Sequence, residues 1–442
     1  MDLALKGRAR VRARSQALLA AGRSSLQAWS HRKLRPAGLT TRVELQAGLL
    51  AAAIALPQAI AFARLAGLSP AQGVWTCVIP LLVVGLLGQI PQIMTGTTVS
   101  TSLALLATLQ MYAVPGSFEY RNAVAIATLG AGVVQVLLSA SGLVKLIDWI
   151  QAWGAEAITN AVAATLALSQ LPAILGLTPG PLPTWEQAWS CVLAISQSSG
   201  ASWGIFLATL LVGIALRWAK WDVVRSLRLL WMLAAGTILA QLGGWTTLDV
   251  GAAHLQAPWS PIYLDATTKA WWVQWIPLMV NLAVLSLLQS VVLARTLRLR
   301  GVCGSVSLRQ EGAALGLANM VSAFTGGYVA AASFNRTLTH VKEGGKGFLS
   351  VGTAAYVLVV CVLLLPTVLA RVPYAAIAAM LLLTAWNMLS FEQARKNRAN
   401  ALYALLVVAA GIFLGLGWSV ALALAISIAQ HLATTAEHRQ DA

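Results

Sequence analysis

Apolar residues in this chain run in long stretches, and polar residues gather in short clusters between them. Stretches such as 44–63, 121–144 and 273–294 reach the roughly 20 residues that a helix needs to cross a hydrocarbon core. A helix satisfies its own backbone hydrogen bonds, which lipid cannot do. A β-barrel would instead alternate over segments of about 10 residues, and no such alternation is present. The pattern predicts an all-α polytopic membrane protein with fourteen segments. In the first half they fall at 44–63, 71–88, 97–111, 121–144, 156–176, 202–218 and 227–243. In the second half they fall at 273–294, 310–325, 330–341, 348–370, 373–390, 400–416 and 419–434. The third and tenth are too short to cross alone, and each follows a glycine-bearing break, Thr95-Gly96-Thr97 in one and Thr325-Gly326-Gly327 in the other. Seven segments followed by seven make a 7+7 arrangement in which the second half runs inverted. Interrupted segments at matching places of two inverted halves point to a substrate site at the repeat interface.

Composition agrees with this reading. Charged residues make up 10% of the chain, against about 25% in a soluble domain, too few to cover a water-facing surface. The net charge of +16 is unevenly spread, with ten of the 30 Lys and Arg residues in positions 1–42. That placement marks residues 1–42 as a basic cytoplasmic segment and argues against nucleic acid as the partner; membrane lipid headgroups are the compatible one. The segment has no apolar core of the kind a cleavable signal needs. With the N-terminus inside, 25 basic residues fall on the inner side, four (Arg64, Arg121, Lys269 and Arg371) on the outer side, and Arg336 within a segment. The expectation is a multi-pass protein of the inner (plasma) membrane, spanning 43–435, with a short tail at 436–442 and both termini cytoplasmic. The four cysteines lack metal-ligand spacing. HExxH and Walker patterns are missing, and neither enzymatic activity nor a cofactor or metal is expected.

The candidate chemistry gathers at the two short segments. A helix that starts in mid-membrane leaves unpaired N–H groups at its first turn, and with the helix dipole these form a ready anion site. Gly96, Thr97, Thr98, Ser100, Thr101 and Ser102 open the first segment; Gly326, Gly327, Ser333, Asn335 and Thr337 mark the second. Close helix packing is the other use of such residues, and their paired placement favours the site. Arg336 is an ionised group within the membrane region, a functional hypothesis by default; snorkelling to the inner face near Lys342 is its plainer reading. Gln58 follows Pro57 in mid-helix, and Phe62 lies one turn on along the same face. Gln289 holds the matching position of the second half.

These residues carry a resemblance. Leu56-Pro57-Gln58 through Phe62 to Gly67-Leu-Ser-Pro70, and Gly316-Leu-Ala-Asn319 through Phe324-Thr-Gly326-Gly327 to Phe334-Asn335-Arg336-Thr337, resemble the sulfate permease (SulP, solute carrier 26-type) family of anion transporters over about 43–435. The resemblance implies core and gate domains that move against each other, with the substrate site between short half-helices at segments 3 and 10. By motif position it implies that Gln58, Phe62, Thr97, Thr98, Ser333, Asn335 and Arg336 bind the substrate. Several positions depart from the family pattern. Thr97 and Val329 stand where proline often opens the two short helices, and Thr97 is expected to act as an opener through its hydroxyl. Ala332 replaces a common glycine. Gln289 takes the coupling-ion position, acidic in many bacterial relatives, where a carboxylate is linked to proton or sodium (H+ or Na+) coupling. The family usually carries a cytoplasmic STAS domain after the last helix; the chain ends about seven residues beyond that helix, and the expectation is a polypeptide without one. The resemblance also suggests a homodimer.

The leading expectation is a secondary-active or exchange transporter of a small inorganic anion, namely sulfate, bicarbonate or chloride, working by elevator-like alternating access. A nucleobase-type carrier of the same architecture is an alternative, as is a non-transporting membrane sensor or scaffold that binds anions.

Overall fold

The computed structural model describes residues 41–144, 149–177, 184–221, 224, 228–244, 262–263, 266–364 and 371–440. Most of the basic N-terminal segment, together with Lys145 and Arg225, lies outside the described residues. In chain order the elements are α1 (Thr41–Leu65), α2 (Pro70–Leu87), β1 (Thr95–Gly96), α3 (Val99–Leu109), α4 (Phe118–Ser141), α5 (Ala152–Leu168), α6 (Leu171–Leu175), α7 (Thr184–Leu193), α8 (Gly200–Ala215) and α9 (Arg228–Leu242). They continue as α10 (Ala266–Leu299), α11 (Leu308–Phe324), β2 (Ala331–Ala332), α12 (Phe334–Lys342), α13 (Phe348–Leu364), α14 (Tyr374–Met388), α15 (Glu392–Lys396), α16 (Arg398–Phe413) and α17 (Leu416–Gln440). Among the described residues six helical stretches are long and apolar enough to cross a membrane: α1, α2, α4, α5 with α6, α8 with the turn after it, and 275–299 of α10. Large apolar side chains such as Leu211, Tyr356, Leu364, Trp386 and Leu405 stand exposed on the outside, the surface expected of a protein whose solvent is lipid.

Local chemistry sets the helix starts. Ser69 precedes Pro70, and its N–H donates to Gln72 Oε1 at 3.2 Å. Ser117 Oγ accepts from the Tyr120 amide at 3.1 Å, and Ser307 Oγ from the Gln310 amide at 3.3 Å; each hydroxyl satisfies a donor that has no partner within its helix. Buried and half-buried carboxylates fasten one element to another. Glu44 at the start of α1 accepts from the amides of Lys346, Gly347 and Ser350 at the start of α13. Glu156 of α5 accepts from the amide of Gln393 in α15. Glu311 of α11 accepts from the amide of Gln89 beyond α2.

Helices α1, α2, α4, α11 and α13 pack on one another, with α10 laid against α4; α5, α14, α16 and α17, together with α8 and α9, make a second set. Within the first set α4 and α11 approach so closely that a Cβ at Gly132 would stand 2.7 Å from the Gly316 carbonyl oxygen. Small residues permit such crossings where lipid offers no hydrophobic drive for helix association.

Three details depart from the pattern-based segments. The stretch 156–176 is two helices, because Pro172 lacks an amide to continue the ladder and α5 ends at Leu168. Residues 184–193 form an additional helix, with Trp189 exposed. The segment expected at 330–341 does not begin at its glycines: helix α12 starts only at Phe334, and Tyr328–Ala332 lead into it as buried non-helical chain.

Candidate substrate-binding site

That buried chain positions the site. Strand β2 pairs antiparallel with β1, Thr95 opposite Ala332 and Gly96 opposite Ala331. The Ser333 amide extends the ladder by donating to the Met94 carbonyl at 2.9 Å, and Thr337 Oγ1 accepts from the Met94 amide at 2.9 Å. Side chains satisfy the remaining backbone groups. Thr76 Oγ1 accepts from the Tyr328 amide at 2.9 Å and Asn319 Oδ1 from the Ala330 amide at 2.8 Å. Ser286 Oγ donates to the Ala330 carbonyl at 2.6 Å, and Ser290 Oγ accepts from the Ala332 amide at 3.0 Å. Non-helical backbone at membrane depth survives only where protein groups take its hydrogen bonds, and here α2, α10 and α11 supply them.

The strand pair brings the starts of α3 and α12 together. Thr98 Oγ1 accepts from the Thr101 amide and Ser333 Oγ from the Arg336 amide, each at 3.5 Å. Thr98 is therefore the residue that caps α3, and the expectation that Thr97 opens it through its own hydroxyl is corrected. Val329 does not occupy a helix start at all. The first-turn amides of Val99, Ser100, Phe334 and Asn335 have no acceptor inside their own helices.

A cavity of about 800 Å³ opens in front of these two starts. Gln58, Phe62, Thr97, Thr98, Ser333, Asn335 and Gln289 all line it, as does Ser100, whereas Gly96, Thr101, Ser102, Gly326, Gly327 and Thr337 do not. Gln58 and Phe62 face it from α1. Gln289 Nε2 donates to Ser100 Oγ at 2.6 Å, so the residue expected at the coupling-ion position is engaged with α3. Asn335 is 5% exposed, and neither its Oδ1 nor its Nδ2 has a hydrogen-bond partner. An unsatisfied buried amide costs about 1–3 kcal/mol. Both atoms keep less than 1 Å² of accessible surface, so the amide is enclosed in the wall beside the cavity.

Arg336 stands elsewhere. It is 1% exposed and is not among the lining residues. Its Nη1 donates to Cys77 Sγ and its Nη2 to the Thr97 carbonyl, both at 3.1 Å, so it neither snorkels nor reaches into the cavity. It lies behind the start of α3, where a Cβ on Gly96 would come within 2.9 Å of Nη2 and 2.6 Å of Cys77 Sγ; only glycine leaves that room. No carboxylate pairs with Arg336 among the described residues. Cys77, Thr76, Ser286, Ser290 and Asn319, which shape the site, were missed as site residues. Asn319 alone carried a signal, as a polar residue in the middle of an apolar helix.

A second cavity, of about 970 Å³, shares Asn335 and Met388 with the first as lining residues. Its walls include Arg228, Arg300 and Lys342 together with Glu156, Glu343 and Glu392. Among the described residues no cluster suited to a metal ion is present.

The model of the sulfate permease family matches residues 42–435. The chain belongs to the sulfate permease family. Among curated family proteins it is similar to one named as a probable sulfate transporter of Mycobacterium tuberculosis, 27% identical over 401 residues that cover 88% of this chain and 70% of that one. Sulfate transporter 2.1 of Arabidopsis thaliana is 24% identical over 375 residues, covering 79% of this chain and 54% of its own length; the chain thus spans about half of that plant relative. The fold matches the transmembrane domain of the cyanobacterial bicarbonate transporter BicA with a TM-score of 0.71 at 20% identity, covering 88% of this chain and 99% of that one. It also matches the murine Slc26a9 anion transporter in its inward-facing state, with a TM-score of 0.71 at 19% identity over 93% of this chain and 71% of that one. Family membership makes the chain a multi-pass membrane protein of the anion-transporter type.

Proposed function

We propose that this chain carries a small inorganic anion, namely sulfate, bicarbonate or chloride, across the inner membrane by elevator-like alternating access. The observation that carries the reading is Asn335: a buried amide with two unpartnered atoms, set where two helix starts meet and lining both cavities. An anion seated there takes the first-turn amides, and the Nδ2 donor once the Asn335 side chain turns outward, while both helix dipoles favour its charge. Gln58 adds an uncharged donor and Phe62 a wall. Arg336 acts through the backbone. Its charge sits behind Thr97, balances the substrate's and holds the start of α3 in place, without competing for the ion as a direct ligand would.

In this reading the set built on α1, α2, α4, α11 and α13 is the core that carries the site, and the set built on α5, α14 and α16 is the gate. The chain is then a 7+7 inverted repeat whose short helices α3 and α12 are its half-helices. The cavity with Arg228, Arg300 and Lys342 is the inner vestibule, in keeping with basic residues on the cytoplasmic side. Gln289 lacks the carboxylate that would bind a proton or sodium ion, so exchange or uniport is favoured over cation coupling.

The test is a flux screen with purified protein in liposomes, using labelled sulfate, bicarbonate and chloride with and without sodium and pH gradients. Uptake of at least one anion, insensitive to the sodium gradient and reduced more than tenfold by Asn335→Leu, is the expected result. If no anion moves under any gradient, the reading fails.

A further inference from the structure

Arg64 and Arg295 line neither cavity, and they hold matching places in the two halves of the chain. Counted as seven segments and seven, α1 corresponds to α10 and α5 to α14. Gln58 of α1 and Gln289 of α10 both line the first cavity, and an Ala-Arg pair ends six residues after each, Ala63-Arg64 and Ala294-Arg295. Six helical residues span about 9 Å, so both charges stand away from the site. With the halves inverted, Arg64 comes at the outer end of α1 and Arg295 near the inner end of α10.

Arg295 reaches across to the second helix set. Its Nε donates to the carbonyl of the fully buried Ile150 at 3.0 Å, just before α5 starts. The N–H of the same peptide unit, that of Gln151, donates to Ser427 Oγ of α17 at 3.2 Å. One peptide is thus gripped by the first set through Arg295 and by the second through Ser427. Arg64 occupies the corresponding place on the other face. Its charge acts on the hydroxyl of Tyr374, the first residue of α14. The packing repeats the correspondence, with α10 against α5 and α1 against α14.

We propose that Arg295 and Arg64 are alternating ties between the two sets. The inner tie, to the Ile150 carbonyl, closes core and gate at the cytoplasmic face. The outer tie, to the start of α14 at Tyr374, closes them at the opposite face when the inner one lets go. The inference rests on the alternating-access reading of the inverted repeat and adds the residues that set the balance between its two states. Weakening one tie shifts the population toward the state that the other holds.

The experiment reads the two faces separately, using the full chain in lipid nanodiscs where both meet solvent. Thr339→Cys on the wall of the inner cavity and Asn281→Cys on the outer side of the first serve as reporters. Each is labelled with a maleimide, and peptide mass spectrometry separates it from the native cysteines. In Arg295→Met, labelling at position 339 is expected to quicken roughly three- to tenfold and that at 281 to slow, on the scale of one charge-assisted hydrogen bond. Arg64→Met is expected to do the reverse. Arg295→Lys keeps a donor for the Ile150 carbonyl and is expected to shift the rates less than Arg295→Met. Should Arg295→Met fail to fold, the direction of the Arg64→Met shift decides. Faster labelling at both positions with a lower melting temperature overturns the proposal, since the arginines then only hold helices together. Reporters that ignore both arginines yet respond to saturating sulfate also overturn it and leave alternating access standing. Reporters that ignore sulfate as well sink the alternating-access reading with it.

Discussion

The guanidinium of Arg336 donates to the carbonyl oxygen of Thr97 at 3.1 Å, so a residue in the first turn of one short helix holds the residues that lead into the other. Its second bond, to Cys77 Sγ at 3.1 Å, adds α2 to the same knot. A buried guanidinium is expensive to leave unpaired, and hydrogen bonds made by charged groups contribute about 1.5–3 kcal/mol each.

Arg336→Ala is therefore expected to do two things at once. Anion uptake in proteoliposomes falls by more than tenfold, and the apparent melting temperature drops, because the α3 start loses its tie. Arg336→Lys retains the charge but has no planar fork to reach Cys77 and Thr97 together. It is expected to recover part of the uptake and little of the stability. Equal recovery of both by lysine would mean that charge alone matters and that the tie to Thr97 is incidental.

Glu44 predicts a purely structural phenotype. Its carboxylate accepts from three amides at the start of α13, at 2.8 to 3.1 Å, where the helix dipole also favours negative charge. Glu44→Gln keeps one acceptor oxygen and is expected to cost about 1–2 kcal/mol, read as a lower melting temperature; Glu44→Ala leaves the amides unmet and costs about 3 kcal/mol. Sulfate binding by the folded fraction stays unchanged in both, since Glu44 lies away from the cavity residues. A loss of binding without loss of stability would contradict this assignment.

Cys303, in the loop between α10 and α11, tests sidedness through its pH dependence. Burial pushes its thiol above the usual cysteine range, nearby Arg298 pulls it down and Glu311 adds to the rise. A raised value means less thiolate at neutral pH, so maleimide labelling is expected to be slow near pH 7 and to accelerate as pH rises through 8 and 9. In intact cells an impermeant maleimide is expected to miss Cys303 until the membrane is opened, with Cys303→Ala as the control. Rapid labelling from outside would invert the proposed topology.

The sequence made the outline legible because membrane helices are written in long apolar runs, because Thr97, Thr98, Ser333 and Asn335 are polar residues beside helix breaks, and because Gln58 and Phe62 follow Pro57 in mid-helix. They converge on one cavity. What stayed hidden depended on tertiary partners. Nothing in Ala330-Ala331-Ala332 announces a strand, since its ladder partner is Thr95–Gly96 and its other bonds come from Ser286, Ser290 and Asn319. Arg336 was expected as a charge within the membrane region that binds the substrate, but its direction depended on Cys77 and on the absence of a side chain at Gly96. The break after Leu168 was written in Pro172 and was overrun by the apolar run around it.

The pair of two-residue strands, the smallest elements among the described residues, sets a timetable for making the protein. Met94 and Thr337, which bond beside the two-residue strands, lie 243 residues apart. At roughly 5–20 residues per second, a ribosome needs about 10–50 s to deliver the second after the first. For that interval Thr95–Gly96 is an edge with no partner, and the first half of the chain holds half a site. Substitutions that delay or weaken the arrival of Ala331–Ala332 are therefore defects of biogenesis: fewer copies mature, and those that do behave normally.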